Sequence, residues 1–323
     1  MMKCILMVFA FLLMAINSDG QSQGQKKIDS LENALKKFET AMKKSGDNTS
    51  FAYDTARVRM LLDIAEVKAI IAKYADARKD GDAALAISMK INFSIGIAAA
   101  YKNMANIYYY TKDYLEASEY YQKALTINEQ VDNKFGIASN LQGLGNVYHE
   151  LSDKRRAWDY FHRALNIYND YGFRFATASV LNDIAGIYYD NAEYQNSLET
   201  YQKSMVVYEE YGNLNGVAND YSSMGIIFYA QKDYIKAYNY YQKALGLYEK
   251  TGDKNSMRYT LTNIGGVNEF LKEYQKAIDY YLKAIDIAKE IGDKKTVETM
   301  NASISRCYKS LGDTKKAAQY SGK

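Results

Sequence analysis

Proline is missing from all 323 residues. Proline breaks helix interiors, so its absence suits a chain that is helical nearly throughout. Cysteine is almost as scarce, with Cys4 and Cys307 alone. Removal of an N-terminal signal would leave only Cys307. An exported protein with one cysteine has no internal disulfide and draws its stability from packing. Histidine stops at His149 and His162. That is too few for a typical zinc site, and no Cys–His grouping exists. Charge of one sign is lacking as well: 41 Lys and Arg against 38 Asp and Glu give a net +3, no basis for nucleic-acid or anionic-membrane binding. No G-x-x-x-x-G-K-[ST] phosphate loop is present. No enzyme, cofactor or metal is expected.

Long apolar runs are also missing, with one exception. Cys4 to Ile16 is apolar over 13 residues, short for a membrane span of about 20 but suited to a signal-peptide core. Lys3 supplies the positive start, and Ser18 and Gly20 stand at the −3 and −1 positions of a cut before Gln21. Residues 1–20 read as an export signal, with an uncleaved anchor as the alternative. Cys4 comes too early, with no small-residue box before it, to be a lipoprotein cysteine.

What the chain does have is tyrosine, 32 residues of it, and a period. "YYQKAL" at 120–125 returns at 240–245, with "YFHRAL" at 160–165, "TYQKSM" at 200–205 and "YYLKAI" at 280–285, a spacing of 40 throughout. Each row opens with a helical stripe, such as Leu141, Leu144, Gly145 and Tyr148. A polar turn follows, and its acid (Asp113, Asp153, Glu193, Asp233, Glu273) suits the start of a second helix. That helix carries Ala117, Tyr121 and Ala124, or Ala157, Phe161 and Ala164, and glycine ends most copies, at 172, 212, 252 and 292. Gly or Ala at 105, 145, 185, 225 and 265 lets paired helices approach, and the aromatic at 121, 161, 201, 241 and 281 fills the space between them. One hairpin cannot bury its apolar face alone, whereas a stack of them can.

The order large–small–aromatic, then Ala–aromatic–Ala, resembles the tetratricopeptide repeat. The 40-residue period, "GDK" between hairpins and "LGN" in the first helix resemble its longer class, that of kinesin light chains and G-protein-signalling modulators. The resemblance covers about residues 56–323 and implies an all-α, right-handed superhelical solenoid of stacked hairpins. The expected organisation is a signal at 1–20, a capping helix and linker at 21–55 and a degenerate repeat at 56–95. Five repeats at 96–295 and an incomplete repeat or cap at 296–323 complete it. The late proline of the family's 34-residue pattern is missing, as expected where the second helix runs longer.

Two columns invite a functional reading. Lys123, Arg163, Lys203, Lys243 and Lys283 recur every 40 residues, but four of the five have an acid at i−4 (Glu119, Asp159, Glu199, Asp279). Such pairs neutralise the column, which reads as a solvated outer face. The other column lies on the first helix, opposite the buried stripe. It comprises Lys102, Asn106, Tyr109; Gln142, Asn146, His149; Asn182, Gly186, Tyr189; Ser222, Ile226, Tyr229; and Thr262, Gly266, Glu269. The resemblance implies that this stripe lines a concave groove holding an extended peptide. It also implies that asparagine at the places of Asn106 and Asn146 contacts ligand backbone. Asn182 is one turn off that place, and Gly186, Ile226 and Gly266 depart from it. Tyr109, His149, Tyr189 and Tyr229 form an aromatic row suited to contact, or to packing against the next hairpin. Cys307 falls in a column of Ile and Val and reads as a core thiol.

The expected function is a non-enzymatic, exported scaffold that binds a protein or extended peptide and has no stable membrane insertion after signal cleavage. Self-association is open. The alternative is the extracytoplasmic input module of a receptor whose output domain lies beyond this chain. The short last helix from Asp313 admits either truncation or a closing cap.

Overall fold

A computed structural model describes residues 20–47 and 49–321, with side chains from Gly24 onward. The expected signal lies outside these residues except for Gly20. The described chain is all-α and divides into two compact units, residues 24–207 and 208–323.

The first unit contains α1 (Gly20–Ser45), α2 (Phe51–Ile70), α3 (Tyr74–Lys90), α4 (Ser94–Tyr110), α5 (Tyr114–Gln130), α6 (Lys134–Glu150), α7 (Lys154–Asp170), α8 (Arg174–Asp190) and most of α9 (Tyr194–Glu210). The second contains α10 (Leu214–Ala230), α11 (Tyr234–Thr251), α12 (Lys254–Phe270), α13 (Tyr274–Glu290), α14 (Lys294–Ser310) and α15 (Thr314–Tyr320). Consecutive helices from α2 onward form the hairpins. The two helices of a repeat are equal in length: α4 and α5 each span 17 residues, as do α6 and α7. The 40-residue period is thus two nearly equal halves.

One turn joins each consecutive pair of helices from α2 onward. A left-handed residue recurs every 20 positions from Ala72 to Gly312. At each, paired backbone bonds close the helix end. Lys112 N–H donates to Tyr109 C=O at 3.0 Å and Asp113 N–H to Tyr108 C=O at 2.9 Å, the crossed pair that satisfies last-turn carbonyls. Glycine holds this conformation at 172, 212, 252, 292 and 312, but Lys112, Ser152, Ala192, Lys232 and Lys272 hold it within hairpins. The next helix then starts on a side-chain cap: Asp153, Asp233 and Asp313 accept from the backbone N–H three residues on. Asp113 differs, accepting instead from the Thr111 hydroxyl at 2.6 Å.

Close approach explains the small residues. A Cβ on Gly145 would stand 2.5 Å from the Phe161 ring, and one on Gly225 would stand 2.7 Å from Tyr241. Gly143 faces Tyr121 of the preceding hairpin in the same way. Ala117, Ala157, Ala237 and Ala277 are fully buried, as is Phe161 apart from 1% of its surface. The α8–α9 hairpin replaces alanine by Ser197, whose hydroxyl donates to the Ala185 carbonyl at 2.7 Å. This satisfies a polar atom that burial would otherwise penalise. Cys307 is buried, and burial pushes its thiol up to about 11.

At the N-terminal side, α1 packs on α2 through Ile28 and Leu31, a Phe38–Tyr53 stack at 5.5 Å, and ion pairs Glu32–Lys68 and Glu39–Arg57, both 2.8 Å. At the other end, α15 buries Ala317, and Ser305 donates to its carbonyl at 2.8 Å.

The outer basic column is neutralised differently from the sequence expectation. Arg163 reaches Asp159 at 3.6 Å. Lys123, Lys243 and Lys283 instead lie over the rings of Tyr120, Tyr240 and Tyr280, at 4.5, 5.0 and 5.4 Å from the centroids. Those rings stack in turn on the first helix, Tyr108–Tyr120 at 5.3 Å and Tyr148–Tyr160 at 5.5 Å. Much of the tyrosine excess belongs to these outer clips.

Candidate functional site

In residues 24–207 the first helices α2, α4, α6 and α8 stand side by side, and each touches the next. The 40-residue repeat sets each first helix beside the next, so a residue meets partners 37 and 41 positions later, one helical turn apart. Lys102 Nζ donates to Ser139 Oγ at 2.9 Å, and Gln142 Nε2 donates to Ser179 Oγ at 3.0 Å and Asp183 Oδ2 at 2.7 Å. His149 Nε2 meets Asp190 Oδ2 at 2.7 Å. Lys102, Gln142 and His149 therefore lie on one face and bridge neighbouring hairpins.

The asparagines part company. Asn106 accepts a hydrogen bond from Tyr121 of its own hairpin, which occupies its carbonyl oxygen. Asn146 is half-buried and makes no side-chain hydrogen bond among the described residues. The Asn182 amide oxygen is buried without a partner. Tyr109 and Tyr189 are half-buried, each leaning on the tyrosine that opens the next helix: Tyr109–Tyr114 at 5.7 Å and Tyr189–Tyr194 at 5.9 Å. Gly186 is unlike the packing glycines, because a Cβ there would meet nothing within 4 Å. A helix-interior glycine costs roughly 1 kcal/mol relative to alanine, and here no neighbour requires it.

Three carboxylates on this face carried no motif. Burial pushes the Asp183 carboxyl up to about 7, against the opposing Gln142 hydrogen bond and His149. Glu150 accepts from Tyr114 OH at 3.0 Å. Burial, then the charges of Glu150 and Asp183, push the Tyr109 phenol upward. Tyr109 therefore lies within electrostatic reach of both acids. Asp183 shares its column with Asn103 and Gly143, so the 40-residue register hides it, whereas the 41-residue offset from Gln142 reveals it. Nearer α1, burial and the neighbouring Glu66 push Asp63 up to about 6, opposed by Lys27 and Arg59.

In the second unit the same stripe is more apolar. Tyr229 packs on Tyr234 at 5.6 Å and on Phe270 at 5.5 Å, and Ile226 is exposed. Thr262 back-bonds to the Arg258 carbonyl at 3.0 Å, and Glu269 is held by Arg306 at 2.9 and 3.2 Å. No group of His, Cys, Asp and Glu side chains able to hold a metal occurs among the described residues. No helix among them is long and apolar enough to cross a membrane.

A stack of hairpins with a uniform turn, small-on-aromatic packing and a polar first-helix face defines a helical-repeat protein. The tetratricopeptide repeat model matches residues 54–130, 96–170, 176–250 and 256–322, and the chain belongs to that family. Solved structures agree in fold. Aspartyl phosphate phosphatase F from Bacillus subtilis has 15% identity and a TM-score of 0.61, over 93% of this chain and 92% of that one. A Rap protein complexed with competence and sporulation factor has 17% identity and a TM-score of 0.61, over 92% and 88%. A signal transduction ATPase with numerous domains and a tetratricopeptide repeat sensor, from Pyrococcus horikoshii, has 18% identity and a TM-score of 0.67. It covers 93% of this chain and 46% of that one. No curated protein matches.

Proposed function

We propose that the chain is a non-enzymatic scaffold that binds a protein or extended peptide on its first-helix face and acts outside the cytoplasm. The observation that carries the binding reading is the combination on α6 and α8 of the free Asn146 amide, the half-buried Tyr189 ring and the open volume at Gly186. An amide both donates and accepts, as a peptide backbone requires. A tyrosine contributes large contact area with little rotamer loss. Lys102, Asn106, Gln142 and His149 act behind this surface by holding helices in place, so Asn146, Tyr109 and Tyr189 are its contact residues. The complex of a Rap protein of the same fold with competence and sporulation factor is consistent with such use.

The test is capture of partners from the cell of origin with the full chain as bait. Asn146→Ala with Tyr189→Ala should cut capture by roughly 1–3 kcal/mol while leaving the helical content intact. Undiminished capture would place the binding surface elsewhere.

The extracytoplasmic part rests on residues 1–20: a lysine, 13 apolar residues and a Ser-x-Gly site before Gln21. Amino-terminal sequencing of the natural protein should begin at Gln21, and a chain that keeps Met1 and stays with the cytoplasmic fraction would refute export. A second reading, an input module for a separate output domain, is favoured by the likeness to part of the Pyrococcus horikoshii protein, which carries a tetratricopeptide repeat sensor. Reading the gene past Lys323 separates the two.

A further inference from the structure

We propose that one edge of residues 208–323 docks on an anionic lipid surface, lying on it rather than crossing it. The edge is made by the turns inside the three hairpins, at residues 230–236, 270–276 and 310–316. These turns stand together. Tyr234 of the first stacks on Phe270 of the second at 5.1 Å, and Glu269 beside the second is held by Arg306 of α14 at 2.9 Å. Tyr234, Leu271 and Tyr308 pack against one core cluster.

Charge complementarity names the occupant. The three turns carry six lysines against three acids. Each acid is closed by the lysine three places on: Asp233 by Lys236 at 3.0 Å, Glu273 by Lys276 at 2.5 Å and Asp313 by Lys316 at 3.4 Å. Lys232, Lys272 and Lys315 are exposed, and their side chains have no hydrogen bond or ion pair among the described residues. The corresponding turns of residues 24–207, at 70–76, 110–116, 150–156 and 190–196, hold five basic residues against seven acids. The repeat therefore does not dictate the excess, and the whole-chain net of +3 conceals it.

A second observation points the same way. Ile235, Phe270 and Leu311 project from these turns with 68%, 56% and 48% of their surface exposed. Unpaired lysines among exposed large apolar side chains match a surface that rests at the headgroups, with the cations at the phosphates and the apolar groups at the acyl boundary. An acidic protein is the other anionic partner, and the chemistry favours lipid over it. Lysine is a hydrated point charge without the fork by which arginine grips one carboxylate. Protein interfaces are depleted in lysine and enriched in arginine, and these three turns contain no arginine. A diffuse field of phosphates needs no directed grip.

None of these lysines belongs to the first-helix stripe, so lipid docking and peptide capture can be lost separately. The experiment is co-sedimentation with vesicles of phosphatidylcholine alone or with about 30% phosphatidylglycerol, at about 0.1 M and 0.5 M salt. Because Cys4 to Ile16 is apolar, both the full chain and the form beginning at Gln21 are used. The Gln21 form should bind the phosphatidylglycerol vesicles about tenfold better than the neutral ones at low salt, and lose most of that preference at high salt. Lys232→Gln, Lys272→Gln and Lys315→Gln together should abolish the preference, at roughly fivefold per lysine. Ile235→Ser with Leu311→Ser should weaken binding at both salt levels. Lys112→Gln with Leu115→Ser, on the other unit's turns, should change nothing. All of these side chains are exposed, and an unchanged circular dichroism spectrum confirms that the helices persist. Equal binding to neutral vesicles, or binding by the full chain alone, would overturn lipid docking by this edge. Retention on immobilised polyglutamate without vesicle binding would overturn it in favour of an acidic protein. An equal loss in the Lys112 and Leu115 variant would overturn it as well, because the attraction is then not local to these turns.

Discussion

Asp183 shows how much one side chain's surroundings matter. The unfolded chain would titrate it near the reference 3.8, and the fold moves it up to about 7. Between those values the folded state binds more protons than the unfolded one. This contribution to stability therefore falls as pH rises from about 4 to 7 and stays lost above. Asp183→Asn keeps an acceptor for Gln142 and removes the charge. Measured by urea unfolding, the variant should match the wild type at pH 4 and exceed it at pH 8 by on the order of 1–2 kcal/mol, allowing for partial solvent access. A pH-independent difference would mean that the carboxylate is solvated. Residue type alone could not single out Asp183 from the 38 acids of the chain, because its character comes from burial among stacked helices, against the opposing Gln142 and His149.

The element that the sequence understated is the turn. Glycine at 172, 212, 252 and 292 was legible as a helix stop, because only glycine enters the left-handed region freely. The matching turns inside hairpins were read only as polar connections, yet Lys112, Lys232 and Lys272 take the same conformation at φ of 61 to 67°. A left-handed L-residue costs roughly 1–2 kcal/mol. Gly252→Ala should accordingly lower stability by about 1 kcal/mol, whereas Lys232→Gly should lower nothing and add up to about 1 kcal/mol. Thermal unfolding of both variants checks the pair, and a loss in Lys232→Gly would show that its side chain has a compensating role. The equal helix lengths follow from the same turn, which recurs every 20 residues.

Across the whole molecule, each hairpin is buried by its neighbours, so damage should spread only so far. Phe161 fills the space beside Gly145 and is almost entirely buried. Phe161→Ala should cost about 3–5 kcal/mol. Hydrogen exchange should report the largest loss of protection in α6 to α8, with little change in α14 and α15. Uniform loss over residues 24–323 would replace nearest-neighbour stability with a single cooperative unit.

The sequence by itself determined the period, the all-helical class, the small-on-aromatic core and the family. Those depend on which residue types recur at a fixed interval, and stacking makes each recurrence a local packing rule. Tertiary structure alone decided which residues of the first-helix stripe are engaged and which are free. Asn106 and Asn146 are identical in register, yet Tyr121 occupies the first and nothing occupies the second, because Phe161 stands where Tyr121 would and carries no hydroxyl. The bond from Gln142 to Asp183 joins helices some 40 residues apart, a proximity that exists only once the hairpins are stacked.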